Sequence, residues 1–189
     1  IKESSYRISA ALNNNGYKLP GKKITINMAP ADMRKEGSAY DLTLAIGILA
    51  ASNQIKSEKI GNYLIMGELS LDGSLQPIKG ALPIAIKASE EGFKGFILPK
   101  QNAREAAVVD KLKIYGVESI KEVIDFFEDK SVLEPTIVDT RKEFFDNVMH
   151  ADFDFSEVKV ELFSPSALFQ NDDIGITPVK VTLAQLPET

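Results

Sequence analysis

The run from Asp41 to Ala51, DLTLAIGILAA, is apolar on nearly every side of the helix that its residues favour. A helix on a protein surface carries apolar residues along one stripe, whereas a helix that is apolar all round is buried. Asp41 stands at its start, where a carboxylate can accept hydrogen bonds from the free amides of the first turn. The sequence therefore predicts a central helix, capped by Asp41, that other elements of the fold must surround.

Strand and helix signals on both sides of this helix predict an α+β fold, with a mixed sheet and packed helices. Alternate apolar residues in Lys23–Ala29 indicate a half-buried strand. Asp72 and Gly73 lie between two strand-like runs and indicate a hairpin turn. The other predicted elements are helices at 3–14, 80–91 and 119–128, and strands at 63–66, 68–71, 95–98 and 113–115.

Two helix starts carry the spacing of a capping box, in which an N-cap side chain and an acid three residues later satisfy each other's free amides. These are Asn102 with Glu105, and Ser119 with Glu122. The pattern predicts that one helix begins after Asn102 and another after Ser119.

The sequence predicts one compact domain followed by less regular segments. Periodic elements end near residue 128, so we assign 1–128 to the domain and 129–159 to a connector. The tail, 160–189, contains one alternating run at 178–183, which would supply a further strand of the sheet.

Charge and composition exclude several classes of site. The chain has 27 acidic and 22 basic residues, a formal charge of −5, so no whole-chain basic field attracts nucleic acid. It contains a single histidine, His150, and no cysteine, which excludes thiolate and three-histidine metal sites. We therefore expect neither a metal nor a cofactor. The sequence contains neither a signal peptide nor a membrane-spanning run, and a cytoplasmic location is expected.

The segment from Gly16 to Lys23, GYKLPGKK, has the spacing of a P-loop up to its last position. A P-loop requires Ser or Thr after the lysine to hold magnesium, but Lys23 follows Lys22 here. The segment also leaves a helix and enters a strand, the reverse of the required order. We interpret it as a turn, so no ATP site is expected in this chain.

Four runs of sequence closely resemble one family, the ComM/YifB family of AAA+ ATPases. The resemblance is to its N-terminal domain, which is Lon-protease-like and Mg-chelatase subunit ChlI-like, and it extends from residue 1 to about 159. The runs are Asn27–Ser52 (NMAPADMRKEGSAYDLTLAIGILAAS), Met66–Pro83 (MGELSLDGSLQPIKGALP), Ile97–Ala107 (ILPKQNAREAA) and Asp152–Lys159 (DFDFSEVK). The resemblance implies a fold like that of the Lon proteolytic domain.

Lon proteases use a Ser-Lys dyad. The resemblance implies that this chain has other residue types at both dyad positions. The Lon serine stands just before the central helix, where this chain has Asp41. The Lon lysine follows a Pro-Ile-Gly-Gly-Leu run, and the matching segment of this chain places Leu82 there. A lysine acts as a base only close to the serine hydroxyl, so these substitutions predict no Ser-Lys catalysis.

A displaced dyad is the alternative. Ser38 lies three residues before Asp41, and Lys79 lies three residues before Leu82. The shift disfavours this dyad, because three residues move a side chain by far more than the roughly 1 Å that already costs about 10²-fold in rate. The Ser-x-x-Lys run at 156–159 lies in a polar segment that would not lower the pKa of its lysine.

The resemblance implies a non-catalytic assembly and coupling domain. Its partners would be an AAA+ module, absent from this chain, and neighbouring subunits of a homo-oligomeric ring that processes single-stranded or branched DNA in natural transformation and branch migration. Lys22, Lys23, Arg34 and Lys35 are the candidates for contact with nucleic acid or partners. Two alternatives stay open: a residual Ser-Lys peptidase of Lon type, and a weak DNA-binding module acting alone.

Overall fold

The computed structural model describes residues 2–21, 23–27, 38–55, 58–138 and 180–183. This part of the chain contains five α-helices and seven short strands, and the predicted α+β class is confirmed. In chain order the elements are α1 (Lys2–Asn14), β1 (Ile24–Asn27), α2 (Asp41–Ala51), β2 (Tyr63–Ile65), β3 (Glu68–Leu69), β4 (Leu75–Gln76), α3 (Ala81–Glu90), β5 (Gly95–Pro99), α4 (Lys100–Ala106), β6 (Lys113–Val117), α5 (Ile120–Phe127) and β7 (Lys180–Leu183).

A parallel sheet of three strands, in the order β2-β5-β6, forms the centre of the fold. All five residues of β5 are buried, as expected of a parallel strand that is covered on both faces. Phe96 and Leu98 belong to a cluster with α3 and α4, whereas Ile97 belongs to a cluster with α1, α2 and α5. Because successive side chains of a strand point to opposite faces, helices cover the sheet on both sides.

Helix α2 is buried as its apolar sequence predicts. Seven of its residues are buried, and six of these are apolar. The helix packs against α1 and β3 within the first of the two clusters. Its position explains why so few polar residues occur between Asp41 and Ala51.

One hydrogen bond joins each outer strand of the parallel sheet to a neighbouring segment. At one edge the Thr43 hydroxyl of α2 donates to the carbonyl oxygen of Ile65. At the other edge the Thr136 amide donates to the carbonyl oxygen of Ile114 at 2.7 Å. Thr136 lies in the segment 129–159 that the sequence predicts to be a connector, so the first part of that segment runs alongside β6.

The hairpin of β3 and β4 turns at Asp72-Gly73, as predicted. Gly73 has a positive φ of 91°, which favours glycine. The tip is fixed to the end of α1, where the side-chain amide of Asn14 donates to the Leu71 carbonyl at 2.7 Å and that of Asn15 donates to the Asp72 carbonyl at 3.0 Å. The turn is therefore held by long-range contacts as well as by its own sequence.

Helix α4 packs so closely on β6 that Gly116 has no room for a side chain. A Cβ atom there would lie 2.6 Å from the Cβ of Ala103 and 3.1 Å from the Cα of Lys100. Gly116→Ala is therefore expected to lower the free energy of unfolding by about 1–3 kcal/mol, because α4 must move away from the sheet. Urea unfolding followed by circular dichroism measures the change.

The matched control is Gly61→Ala, because a Cβ at Gly61 would meet no atom within 4 Å. We expect this variant to differ from the original chain by less than about 0.5 kcal/mol. Equal losses in the two variants would contradict the close packing of α4 on β6.

Both predicted capping boxes differ from the structure. Helix α4 begins at Lys100 after Pro99, so the prediction that Asn102 is its N-cap is wrong. Ser119 does precede α5, but its hydroxyl donates to Glu122 at 3.0 Å, and the same carboxylate accepts from the amide of Glu118 at 3.2 Å. Glu122 thus satisfies an amide one residue earlier than the box predicts.

A two-stranded antiparallel ribbon of β1 and β7 completes the described fold. The four residues of β7 lie within the run 178–183 that alternation predicts to be a strand. β7 also lies against α2. A strand from near the end of the chain therefore reaches the central helix.

Candidate functional site at the start of the central helix

A buried ion pair occupies the place that the resemblance assigns to the Lon serine. Asp41 begins α2 and is fully buried, with 0% of its surface exposed. Arg7 of α1 donates from Nε to Oδ2 at 2.7 Å and from Nη2 to Oδ1 at 3.3 Å. A guanidinium that bonds both carboxylate oxygens compensates the buried charge and fixes its direction. The pair thereby ties α1 to the first turn of α2.

The electrostatics of this pair favour the charged form of the arginine. The hydrogen bond to Asp41 raises the pKa of the Arg7 guanidinium above its ordinary value, and the charges of Asp41, Glu68 and Glu3 raise it further. An arginine is already protonated throughout the pH range in which proteins fold. The positive member of the pair is therefore permanent.

The interpretation of Asp41 as a helix cap is wrong. The N-cap residue of α2 is Tyr40, with φ −89° and ψ −4°, and Asp41 is the first helical residue. Its carboxylate accepts from Arg7 of another helix. The charge still lies at the positive end of the helix dipole, where a carboxylate is favourable.

Ser38, the serine of the displaced dyad, is engaged with a carboxylate. Its hydroxyl donates to Oε2 of Glu68 at the start of β3, and its backbone carbonyl accepts from the amide of Asp41 at 3.0 Å. Lys79 is solvent-exposed in the loop before α3. Among the residues that the structure describes, no hydrogen bond joins Ser38 to Lys79.

Helix α4 holds the loop before Leu82, the residue that the resemblance assigns to the place of the Lon lysine. The amide of Ile78 donates to Oδ1 of Asn102 at 2.8 Å, and Nδ2 of Asn102 donates to the Ile78 carbonyl at 2.9 Å. Both residues are buried, with 8% and 7% of their surfaces exposed. One side-chain amide thus satisfies both backbone groups of a buried residue.

The helix start that follows is held in the same way. The backbone amide of Leu82 donates to Oε1 of Glu105 in α4 at 3.1 Å. The Leu82 side chain is half-buried, and Gly80 precedes α3 with a left-handed φ of 73°. An aliphatic side chain with no proton to exchange therefore stands at the place that the resemblance assigns to the Lon lysine.

Of the four residues predicted to contact nucleic acid or partners, one lies among the described residues. Lys23 is exposed immediately before β1. Lys22, Arg34 and Lys35 lie outside the described residues. The described structure therefore places Lys23 alone of the four.

An open groove of about 440 Å³ lies elsewhere, at the ends of β5 and β6. Lys100 and Glu118 form an ion pair in it, with Nζ and Oε1 2.6 Å apart. Its lining residues are Ser74, Leu75, Gln76, Lys100, Gln101 and Glu118. Neither dyad place, Asp41 or Leu82, lines this groove.

Two kinds of feature are not found within the described ranges. No group of three or more His, Cys, Asp or Glu side chains is placed there to hold a metal ion. No helix there has the length and the apolar character needed to cross a membrane.

Local sequence patterns do not indicate the role of Arg7, and they indicate a wrong role for Asn102. Arg7 lies 34 residues from Asp41, and no local pattern links them. Asn102 and Glu105 did stand out by their capping-box spacing, but both contact the segment 78–82 instead of their own helix start. The capping-box spacing therefore singled out two residues that make tertiary contacts, but it predicted a capping role that they do not have.

Comparison with known proteins supports the resemblance. The family model for "Subunit ChlI of Mg-chelatase" matches residues 1–102. The chain is 41% identical over 134 residues to the protein YifB of Escherichia coli, covering 71% of this chain and 26% of that protein. It is 39% identical over 133 residues to the competence protein ComM of Haemophilus influenzae, covering 70% of this chain and 26% of ComM.

A weaker similarity reaches the Lon proteases. The chain is 31% identical over 126 residues to Lon protease 2 of Bacillus subtilis, covering 66% of this chain and 22% of that protease. The chain thus spans about a quarter of the length of the relatives it matches. Since the family model covers more than half of its 189 residues, the chain belongs to the Mg-chelatase ChlI-like family, with similarity to YifB and ComM.

Proposed function

We propose that this chain is a non-catalytic, Lon-like assembly and coupling domain of a longer ComM/YifB-type AAA+ ATPase that processes DNA, in natural transformation and branch migration. The observation that carries the proposal is the buried Arg7–Asp41 pair, at the place that the resemblance assigns to the Lon nucleophile. A carboxylate with no exposed surface, paired to a guanidinium, cannot attack a substrate. A role that transmits force or holds subunits together needs no such attack.

The internal contacts suit a domain that works as a rigid body. The Arg7–Asp41 pair joins α1 to α2, and the Asn102–Ile78 contact joins α4 to the loop before α3. Contacts of this kind restrict the movement of helices relative to one another. A rigid body coupled to a motor passes on a displacement without losing it in internal rearrangement.

ATP binding would belong to another part of the longer protein. The segment 16–23 lacks the residue that holds magnesium in a P-loop, and the matched relatives are about four times as long as the region they share with this chain. We therefore assign the ATPase activity of the parent to a module beyond this chain.

The competing function is a residual Ser-Lys peptidase, which the similarity to Lon protease 2 favours. We expect the chain to show no labelling by a fluorophosphonate probe and no turnover of unfolded casein, because no hydrogen bond joins Ser38 to Lys79 among the described residues and a Ser-Lys dyad requires that contact. Gel fluorescence and release of labelled peptide measure these two activities.

The matched pair of variants is Ser38→Ala and Ser131→Ala, where Ser131 is an exposed serine after α5. Casein turnover that is lost in Ser38→Ala and kept in Ser131→Ala would establish the peptidase and overturn the non-catalytic proposal. Background turnover that is equal in all three proteins would come from a contaminant.

Contact with DNA is tested through the four candidate cations. We expect weak retention of single-stranded DNA at low salt that is lost near 0.15 M salt, because few phosphates are neutralised by one domain. Replacing Lys22, Lys23, Arg34 and Lys35 together by alanine is expected to abolish this retention. Fluorescence anisotropy over a salt series measures it.

The control for this test replaces four exposed lysines elsewhere in the described fold, Lys79, Lys94, Lys111 and Lys121, by alanine. A similar loss of DNA retention in both variants would show that net charge causes the effect, and it would contradict the proposed contact surface. Binding that stays salt-independent would indicate base stacking or apolar contact in place of phosphate contact.

A further inference from the structure

The ribbon of β1 and β7 joins two segments that are far apart in the chain. Their register pairs Ile24 with Leu183 and Ile26 with Val181, and it pairs Thr25 with Thr182. Apolar residues therefore stand opposite apolar ones, and polar residues opposite polar ones. A slip by one residue would mismatch every pair, so the register is specified by the two sequences.

β1 and α2 together form the surface that receives β7. Ile24 and Ile26 of β1 pack against the cluster that contains α1, α2 and α5. β7 lies along β1 and against α2. The surface accepts an extended segment with apolar residues at alternate positions, which is the mode of recognition known as β-strand addition.

Two features allow the occupant to come from a different molecule. The link 139–179, if fully extended, spans up to roughly 140 Å, so it does not restrict β7 to the β1 of its own chain. Among the described strands β7 pairs only with β1, over four residues, so its release breaks fewer contacts than the release of a strand from the parallel sheet. Exchange of an identical element between two copies adds no new kind of contact and forms a symmetric pair.

We propose that β1 and the adjoining surface of α2 are a strand-acceptor site for residues Lys180–Leu183 of a second copy of this chain. In a single molecule the site is filled by its own β7. At higher protein concentration two copies exchange β7 reciprocally, which gives a dimer whose contacts are those of the monomer.

Single-cysteine variants test the exchange directly, because the chain has no cysteine of its own. Thr25→Cys and Thr182→Cys change residues that are directly opposite in the ribbon. Opposite residues of an antiparallel pair have Cα atoms about 4.5–5.5 Å apart, which is within the range that a disulfide spans. When the two full-length variants are mixed and oxidised, a heterodisulfide at this pair requires β7 of one copy on β1 of the other.

We expect the Thr25→Cys and Thr182→Cys mixture to give several-fold more heterodimer on a non-reducing gel than a mixture of Thr25→Cys with Val181→Cys. The control moves the cysteine by one residue, so the two cysteines no longer stand opposite each other. The heterodimer yield is expected to rise with protein concentration during preincubation.

A second arm uses the double variant Thr25→Cys/Thr182→Cys, in which both cysteines are in one chain. The double variant could give only crosslinked monomer at every concentration, while the mixture of single variants gives no heterodimer. That result would show that β7 pairs only with the β1 of its own chain, and it would overturn the exchange. Equal crosslinking in the one-residue control would overturn the register on which the site depends. A concentration-dependent crosslinked dimer of the double variant, with the control negative, would support the proposal.

Discussion

Replacing Arg7 with methionine is expected to lower the free energy of unfolding by about 3–5 kcal/mol, as found when one partner of a buried ion pair is removed. The carboxylate of Asp41 would remain fully buried without the guanidinium that bonds both of its oxygens. An uncompensated charge in a medium of low dielectric costs more than the pair contributes. Methionine keeps the aliphatic packing of the arginine stem, so the loss reports mainly on charge. Urea unfolding measures it.

Two further variants identify the cause of this loss. Asp41→Leu is expected to cost less than Arg7→Met, because the remaining Arg7 side chain is 25% exposed and can turn towards water. The double variant Arg7→Met/Asp41→Leu removes both charges and is expected to recover most of the stability. A double variant that is as unstable as Arg7→Met alone would show that packing, and not an orphaned charge, decides the effect.

Asn102→Ala is expected to lower the free energy of unfolding by about 2–4 kcal/mol, because two buried backbone groups lose their partners. The amide and the carbonyl of Ile78 both bond to this one side chain. Hydrogen exchange at the Ile78 amide should accelerate together with the loss of stability. Urea unfolding and exchange detected by mass spectrometry measure the two effects.

Two comparisons separate the hydrogen bonds from helix propensity. Gln101→Ala changes the exposed neighbour in the same helix and is expected to cost less than about 0.5 kcal/mol. Asn102→Asp keeps an acceptor for the Ile78 amide but places a second acceptor against the Ile78 carbonyl. We therefore expect it to lower the free energy of unfolding nearly as much as Asn102→Ala does. Stability that is unchanged in Asn102→Asp would contradict the bidentate contact.

Local sequence patterns predict most of the helices and strands. The apolar run of α2 and the Asp72-Gly73 turn are confirmed, because periodicity and turn chemistry depend on residues close together in the chain. The boundaries of β5 and β6 differ from their predicted ranges by no more than two residues. Such agreement is typical of elements whose signals are local.

The errors at Asn102 and Asp41 share one physical cause. Asn102 and Asp41 have side chains suited to capping, and nothing in their neighbourhood reveals a stronger partner in a distant segment of the chain. In the folded protein Ile78 and Arg7 supply that partner, at separations of 24 and 34 residues. A buried polar group bonds to whatever packing brings near it, so its role depends on the fold.

The sequence by itself determined the α+β class, the order of its elements, and the absence of serine and lysine from the two places that the resemblance assigns to the dyad. The tertiary structure alone decided that Asp41 pairs with Arg7, that Asn102 fixes Ile78, and that β7 returns to β1. The physical reason is that residue spacing records the period of a helix or strand, whereas the partner of a buried charge, amide or strand edge is chosen by packing between distant segments.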